Sequence, residues 1–301
     1  MAKMAVIGLG SMGSGMAANA LKAGHQVLGC DLDAAKVEQF RAKGGTQGAL
    51  ADIAGDLDAV LLVVLNAAQT EAVLFGPDGI VAKLRAGAVV ISCATVSPDF
   101  ARYMEGRCRE AGVLYLDAPI SGGAVGAASG TLTVMASGSP EAFGAARPVL
   151  DAISGRVFEL GDAAGPGSAM KATNQLLAGV HLATMAEALT FGLSQGISPE
   201  TFLEVISTSA GTSWMLENRT PHIIAGDYRP FSMVDIWPKD LGIVLDIARE
   251  SRFSAPIAAA ALQQFVAAAG MGLGKEDDAA VAKVYARNAG LSLPGETGGK
   301  G

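Results

Sequence analysis

The chain has no surplus of positive charge. Its 22 Lys and Arg are outnumbered by 29 Asp and Glu, for a formal net charge of −7. With no basic patch to hold a polyanion, nucleic acid and anionic membrane are not expected as partners, and a small molecule is. Cysteine is scarce as well. Cys30, Cys93 and Cys108 are odd in number, widely spaced and form no CxxC pair, so neither a disulfide framework nor a metal motif can be built from them. A reducing cytoplasm and no metal are the expectations. Long apolar runs are the third absence, since glycines and charges interrupt each one, and no membrane span is expected. What is present is globular in character. Half the residues are hydrophobic and 17% charged, too apolar for disorder, and 301 residues suggest two domains.

The first half alternates short apolar runs with helix-like stretches. Strands are predicted at Met4–Ile7, Gln26–Cys30, Ala59–Val64, Ala88–Ser92, Val113–Leu116 and Leu132–Ala136. Helices are predicted at Met12–Ala23, Ala34–Lys43, Ala68–Phe75, Ser97–Ala111 and Pro140–Ile153. Strand and helix in alternation at this spacing predict an α/β fold, a doubly wound parallel sheet covered by helices on both faces. After Gly161 the pattern turns helical, with start signals such as Ser198-Pro199-Glu200. The expected domains are 1–162, a Rossmann-like dinucleotide-binding unit, and 163–290, all helical, with 291–301 a loose tail.

Gly8-Leu9-Gly10-Ser11-Met12-Gly13 is a GxGxxG placed directly after a strand and directly before a helix. Glycines there allow a tight turn and close backbone approach, and the helix start offers N–H groups to a pyrophosphate. The small residues Gly15, Ala17 and Ala18 would let this helix pack closely on the sheet. Asp31, with Leu32 beside it, ends the second strand, where a carboxylate accepts hydrogen bonds from both ribose hydroxyls and repels a 2′-phosphate. The expected cofactor is therefore NAD rather than NADP.

Two later motifs carry chemistry. The segment Asp117–Leu132 is glycine-rich and reads as an ordered loop whose Ser121, Gly122 and Gly123 form a nest for a carboxylate. The segment Gly165–Gln175 opens a helix running to about Phe191 and sets Lys171, Asn174 and Gln175 within one turn. A cation beside amides, downstream of a dinucleotide fingerprint, suits a site where a proton moves while a nicotinamide takes a hydride. His181 falls on the flank of Asn174 and reads first as a packing histidine. His25 and His222 sit in turn-like contexts, and Trp214 and Trp237 read as core or interface residues.

With these motifs in hand, the chain resembles the β-hydroxyacid dehydrogenase family from about Met4 to Ala286. The segments Gly8–Gly24, Asp117–Leu132, Gly165–Gln175 and Lys239-Asp240-Leu241 are similar to four ordered family motifs. The resemblance implies an active site between the two domains, with Lys171 as general acid/base. Ser121, Gly122 and Gly123 would hold the substrate carboxylate, and Asn174 the substrate. Thr95 would lie by the nicotinamide or substrate, Leu65 and Asn66 on the adenosine-ribose edge, Lys239 near the nicotinamide end, and Phe231 and Asp240 on the substrate wall. A homo-oligomer, dimer or tetramer, is implied too.

The reaction so implied moves a hydride from a carbinol carbon to the nicotinamide and the hydroxyl proton to Lys171. Burial would favour the neutral amine that this step needs. A sugar acid such as L-threonate is the first candidate substrate, because Asn174–Leu189 and Gly274–Ala280 look most like family members acting on it. The alternatives are 3-hydroxyisobutyrate and tartronate semialdehyde. From another class, a silent NAD-binding sensor or scaffold would have no need of Lys171 in its full motif.

Overall fold

A computed structural model describes residues 1–295. The chain forms two compact units, one from Met1 to Lys171 and one from Ala172 on. In the first unit five strands, β1 (Lys3–Ile7), β2 (Gln26–Cys30), β3 (Ala59–Leu62), β4 (Val89–Ser92) and β5 (Leu114–Asp117), form a parallel sheet in the order β2-β1-β3-β4-β5. Alternate residues of β3 feed opposite faces: Ala59 and Leu61 enter one apolar core, Val60 and Leu62 the other. A strand buried on both sides has no polar face, which is why these strands read as unbroken apolar runs.

Helices α1 (Gly13–Lys22), α2 (Ala34–Ala42), the single turn α3 (Leu50–Ile53), α4 (Ala67–Phe75) and α5 (Pro98–Glu110) connect the strands. Their starts are chemically marked. Asp33, Asn66 and Ser97 each accept a hydrogen bond from a first-turn N–H, and Pro98 follows the last of them. Such caps contribute about 1 kcal/mol each.

The chain beyond β5 departs from the expectation. The segment Asp117–Leu132 is not one loop, because it holds β6 (Ile120–Ser121) and the helix α6 (Gly123–Ser129). The strand β7 (Leu132–Ala136) does not join the parallel sheet. It pairs antiparallel with β6 and parallel with β8 (Ser154–Glu159), in a separate three-stranded sheet. Helix α7 (Pro140–Ile153) lies between β7 and β8 in sequence and has the predicted bounds.

Helix α8 (Pro166–Ser194) begins in the first unit and continues into the second. There α9 (Pro199–Ile206), α10 (Trp214–Ala225), α11 (Ile236–Glu250), α12 (Pro256–Ala268) and α13 (Ala282–Asn288) surround a core that includes Leu182, Met185, Phe202, Trp237 and Phe265. Trp237 stacks on Phe265 with ring centroids 5.4 Å apart.

Four expectations are corrected here. Pro166–Ser194 and Pro256–Leu273 are long and apolar enough, by length and composition, to cross a membrane. In this fold Leu182, Met185, Leu189 and Phe265 on those helices are buried in the protein core. His222 belongs to α10 rather than to a turn, and His181 is exposed rather than packed. Of the expected tail, Leu293 is buried in the helical core, while 296–301 lie outside the described residues.

Candidate active site

The glycine loop is built by close approach. Gly8 leaves β1 with φ near +100°, and a Cβ there would lie 2.1 Å from the Val63 carbonyl oxygen just beyond β3. A Cβ on Gly13 would lie 1.8 Å from the Gly8 oxygen, whereas one on Gly10 would meet nothing within 4 Å. Two glycines therefore fold the loop tightly and the third keeps the space above it open. The strand order reverses between β1 and β3, the place where open α/β sheets bind ligands. Helix α1 follows Met12, which gives it no side-chain cap, and has no acidic residue in its first turn, which leaves its positive end to an anion. A cavity of about 370 Å³ beside the loop is lined by Leu9, Gly10, Ser11, Ser14, Lys36 and Gln39, among others. The residues present fit a dinucleotide.

Asp31 is tied to this loop. Its Oδ2 accepts from the Leu9 N–H at 2.7 Å, its Oδ1 from the Asp33 N–H at 2.9 Å, and the Lys36 Nζ is 3.9 Å away. Burial raises its pKa, but these N–H groups and the Lys36 ammonium prevail and hold it below the ordinary 3.8. The group thus stays ionised until the pH falls beneath the usual carboxylate range, so NAD+ affinity should be flat from about pH 8 down to about pH 5. Asp31→Ala should weaken NAD+ and narrow the gap to NADP+. Titration of both dinucleotides checks this, and equal affinity for the two in the wild type would contradict it. Leu32 is fully exposed, and the half-exposed Leu65 donates its N–H to Gln69 Oε1 at 2.9 Å. Asn66 spends its Oδ1 capping α4, and Thr95 lies on the segment between β4 and α5.

Ser121 is the last residue of β6. Gly122 and Gly123 follow with φ near +123° and +64°, left-handed values that side chains resist. A Cβ on Gly123 would meet nothing within 4 Å, so the turn is open on that side. Lys171 lies beside it: its Nζ, on a side chain buried to 8% exposure, donates to the Ile120 carbonyl at 2.8 Å, one residue before Ser121. The turn is also locked to the cofactor helix. Gly15 touches α6 rather than the sheet, where a Cβ would lie 2.7 Å from Ala127 backbone. Asn19 donates to the Ala127 and Ala128 carbonyls at 2.8 and 3.1 Å. The first unit therefore brings together Lys171, the Ser121–Gly123 turn and the helix that opens the glycine loop.

Asp117 sets the start of α8, a function its sequence context did not announce. Its Oδ2 accepts from the N–H groups of Gly165 and Ser168 at 3.0 and 2.8 Å and from the Ser137 hydroxyl at 3.3 Å. Its Oδ1 accepts from the Ser168 hydroxyl at 2.7 Å. Burial raises the Asp117 pKa, with the Ser168, Gly165 and Ser137 donors opposing it.

In the second unit Asn174 Nδ2 donates to Gln175 Oε1 at 2.9 Å, and Gln175 Nε2 donates to Asp240 Oδ2 at 2.5 Å. Lys239 Nζ is 2.6 Å from Asp240 Oδ1. Phe231 is exposed, its ring 5.2 Å from that of His222, and its N–H donates to Asp277 at 3.0 Å. Asp277 also binds His222 Nδ1 at 2.9 Å, and Asp278 takes Arg219 Nε at 2.5 Å and Trp237 Nε1 at 3.0 Å. These buried charges are structural ties that the motif Gly274–Ala280 did not disclose. Among the described residues, no cluster of His, Cys, Asp and Glu could hold a metal.

Residues 3–161 match the family described as the NAD binding domain of 6-phosphogluconate dehydrogenase. Residues 165–285 match that described as the NAD-binding domain of NADP-dependent 3-hydroxyisobutyrate dehydrogenase. The L-threonate dehydrogenase of Cupriavidus necator is 51% identical over 97% of both chains. That of Haemophilus influenzae is 45% identical over 97% of this chain and 96% of its own. The crystal structure of a 3-hydroxyisobutyrate dehydrogenase from Salmonella typhimurium superposes with a TM-score of 0.90 at 43% identity, covering 94% of this chain and 100% of that one. The protein is thus an oxidoreductase with a Rossmann-like NAD-binding unit followed by a helical one. It belongs to the 3-hydroxyisobutyrate dehydrogenase family of β-hydroxyacid dehydrogenases and is an NAD-dependent hydroxyacid dehydrogenase.

Proposed function

We propose that the protein oxidises L-threonate, with Lys171 as the proton acceptor. One observation carries the catalytic part: the Lys171 Nζ is buried and held 2.8 Å from the carbonyl of Ile120, next to the Ser121–Gly123 turn. Bound NAD+ supplies the hydride acceptor. The chain's own residues do the rest. The Ser121 hydroxyl and the N–H groups of Gly122 and Gly123 take the carboxylate, and Asn174 takes a hydroxyl. One N–H of Lys171 stays on Ile120 while the amine lone pair accepts the proton of the reacting hydroxyl. In the reverse direction the same nitrogen, as ammonium, returns the proton to the carbonyl oxygen. Holding donor and acceptor in register supplies much of the rate. Thr95 and Phe231 would border the substrate, and Lys239 the nicotinamide. Gly8–Gly13, Asp31, Leu32, Leu65 and Asn66 would hold the rest of the dinucleotide. In this reading 1–162 is the cofactor-binding unit, and 163–290 is the helical unit that carries Asn174, Phe231 and Lys239.

The choice of L-threonate is supported by the names of the relatives at 45% and 51% identity and by the Asn174 amide, which suits a polyhydroxy acid. The Salmonella structure favours 3-hydroxyisobutyrate as a second reading. Steady-state kinetics over a panel decide between them. L-Threonate should exceed 3-hydroxyisobutyrate and L-serine in kcat/KM by at least about 10-fold, a floor set by the smallest single-group differences that enzymes read. Its amide should lose most of that efficiency, and a higher value for 3-hydroxyisobutyrate would replace the assignment. A homo-oligomer is supported by the exposed apolar residues Leu177, Phe191, Trp214 and Ile257 of the helical unit, and a cytoplasmic location by the three free cysteines.

A further inference from the structure

The amide of Asn174 is one end of a directional chain whose other end is a charge. Asp240 is 3% exposed and, as a carboxylate, can only accept hydrogen bonds. Lys239 Nζ lies 2.6 Å from one of its oxygens, and Gln175 Nε2 donates to the other at 2.5 Å. That second contact decides the orientation of Gln175: turned the other way, its carbonyl would face a carboxylate at hydrogen-bond distance with no hydrogen between them. With the amino end on Asp240, Gln175 must present its carbonyl Oε1 to Asn174, which donates from Nδ2 at 2.9 Å. The orientation of Asn174 then follows as well. Its amino group is directed to Gln175, and Oδ1 is the end it offers as an acceptor.

The frame around the chain is stiff. Gln175 is buried, and four residues further along α8 a Cβ on Gly179 would lie 3.0 Å from Trp237 and Leu241 of α11. The two helices are therefore drawn together beside the pair Gln175–Asp240.

We infer that Gln175 and Asp240 are positioning residues: the charge of Asp240, passed through the Gln175 amide, fixes Asn174 with its carbonyl oxygen as the acceptor for the hydroxyl of the substrate. This rests on Lys171 and Asn174 belonging to the reaction site. It moves Asp240 from the substrate wall to a place behind it, and it gives Gln175 a function that its extra methylene over asparagine makes possible.

A charge swap tests the direction of the chain. Gln175→Met keeps the volume and removes both hydrogen bonds. Asp240→Asn can offer its own amino group to Gln175 and so lets both amides turn over. Each single variant should lower kcat by about 10- to 100-fold, the scale of a misplaced contact, with Kd for NAD+ within about 2-fold of wild type because the glycine loop is untouched. The double variant Gln175→Glu/Asp240→Asn restores the direction. Its new amide on α11 donates to its new carboxylate on α8, that carboxylate accepts from Asn174, and one negative charge is kept in the chain. It should recover kcat to within about 3-fold of wild type, as coupled neighbours do in a double-mutant cycle. Wild-type kcat in Gln175→Met, or a double variant no better than Asp240→Asn alone, overturns the inference. If Asp240→Asn does not fold, Gln175→Met and the double variant decide it. Lys171→Ala, measured alongside, separates the two levels. Turnover surviving in that variant removes the underlying reading. Turnover lost there but intact in Gln175→Met removes only the positioning role.

Discussion

Lys171→Ala is expected to cut turnover by roughly 10²–10⁴-fold, the range that a positioned acid–base group supplies, while leaving NADH affinity almost unchanged. The two effects separate because the lysine and the dinucleotide loop are anchored differently. Gly8, Gly10 and Gly13 are shaped by the ends of β1 and β3 and by Asp31, and none of these contacts involves Lys171. Lys171 is held through its backbone by the first turns of α8 and through its Nζ by the Ile120 carbonyl. Shortening it removes that buried hydrogen bond to the Ile120 oxygen. Lys171→Arg should restore little, because a guanidinium keeps its proton in the working range and cannot act as the base. Stopped-flow titration with NADH and steady-state turnover on the best hydroxy acid give the two numbers. Near-normal turnover in Lys171→Ala would show that the proton leaves by another group, and Lys239 would be the next to replace.

The sequence declared those parts of the fold whose physics is local. β1 to β5 are buried on both faces, so each appears as an apolar run, and the caps at Asp33, Asn66 and Ser97 mark where helices begin. β8 was illegible because Ser154–Glu159 has no buried residue and thus no alternation to read. Helix α6 was hidden by its composition: Gly123, Gly126 and Ser129 are weak helix formers, and tertiary packing, on α1 through Gly15 and Asn19 and on Leu132, holds it. The strand β7 was visible but its partners were not, since pairing is not written in periodicity. The same division runs through the site. Residues contiguous in a motif, such as Ser121–Gly123 or Lys171 and Asn174, could be named from spacing. The bonds from Asp117 to Ser168 and from Gln175 to Asp240 span 51 and 65 residues, and they exist only once the chain has folded.

Asp117→Ala is the substitution expected to cost most in stability. Its carboxylate gathers the N–H groups of Gly165 and Ser168 and the hydroxyls of Ser137 and Ser168 at the start of α8, all in buried surroundings. Each buried donor left without a partner costs about 1–3 kcal/mol. The four are neighbours and not additive, so a total of at least about 3 kcal/mol is expected from urea unfolding. The first turn of α8 carries Lys171, so kcat should fall even in the fraction that remains folded. Asp117→Asn isolates the cause. Its carbonyl can take the three donors on Oδ2, and its amino group can meet the Ser168 hydroxyl turned to accept, so the loss should be far smaller. The two forms should also differ with pH. Burial raises the Asp117 pKa in the folded state above its ordinary 3.8, so the native protein holds this proton more tightly than the unfolded chain does. The stability that goes with it is complete below the ordinary value and is lost as pH rises from there through the folded value. Asparagine does not titrate and is spared that loss. The gap between wild type and Asp117→Asn should therefore narrow as pH rises from about 4 to about 8. A gap that widens over that range would mean that the four donors outweigh burial and that Asp117 is held ionised.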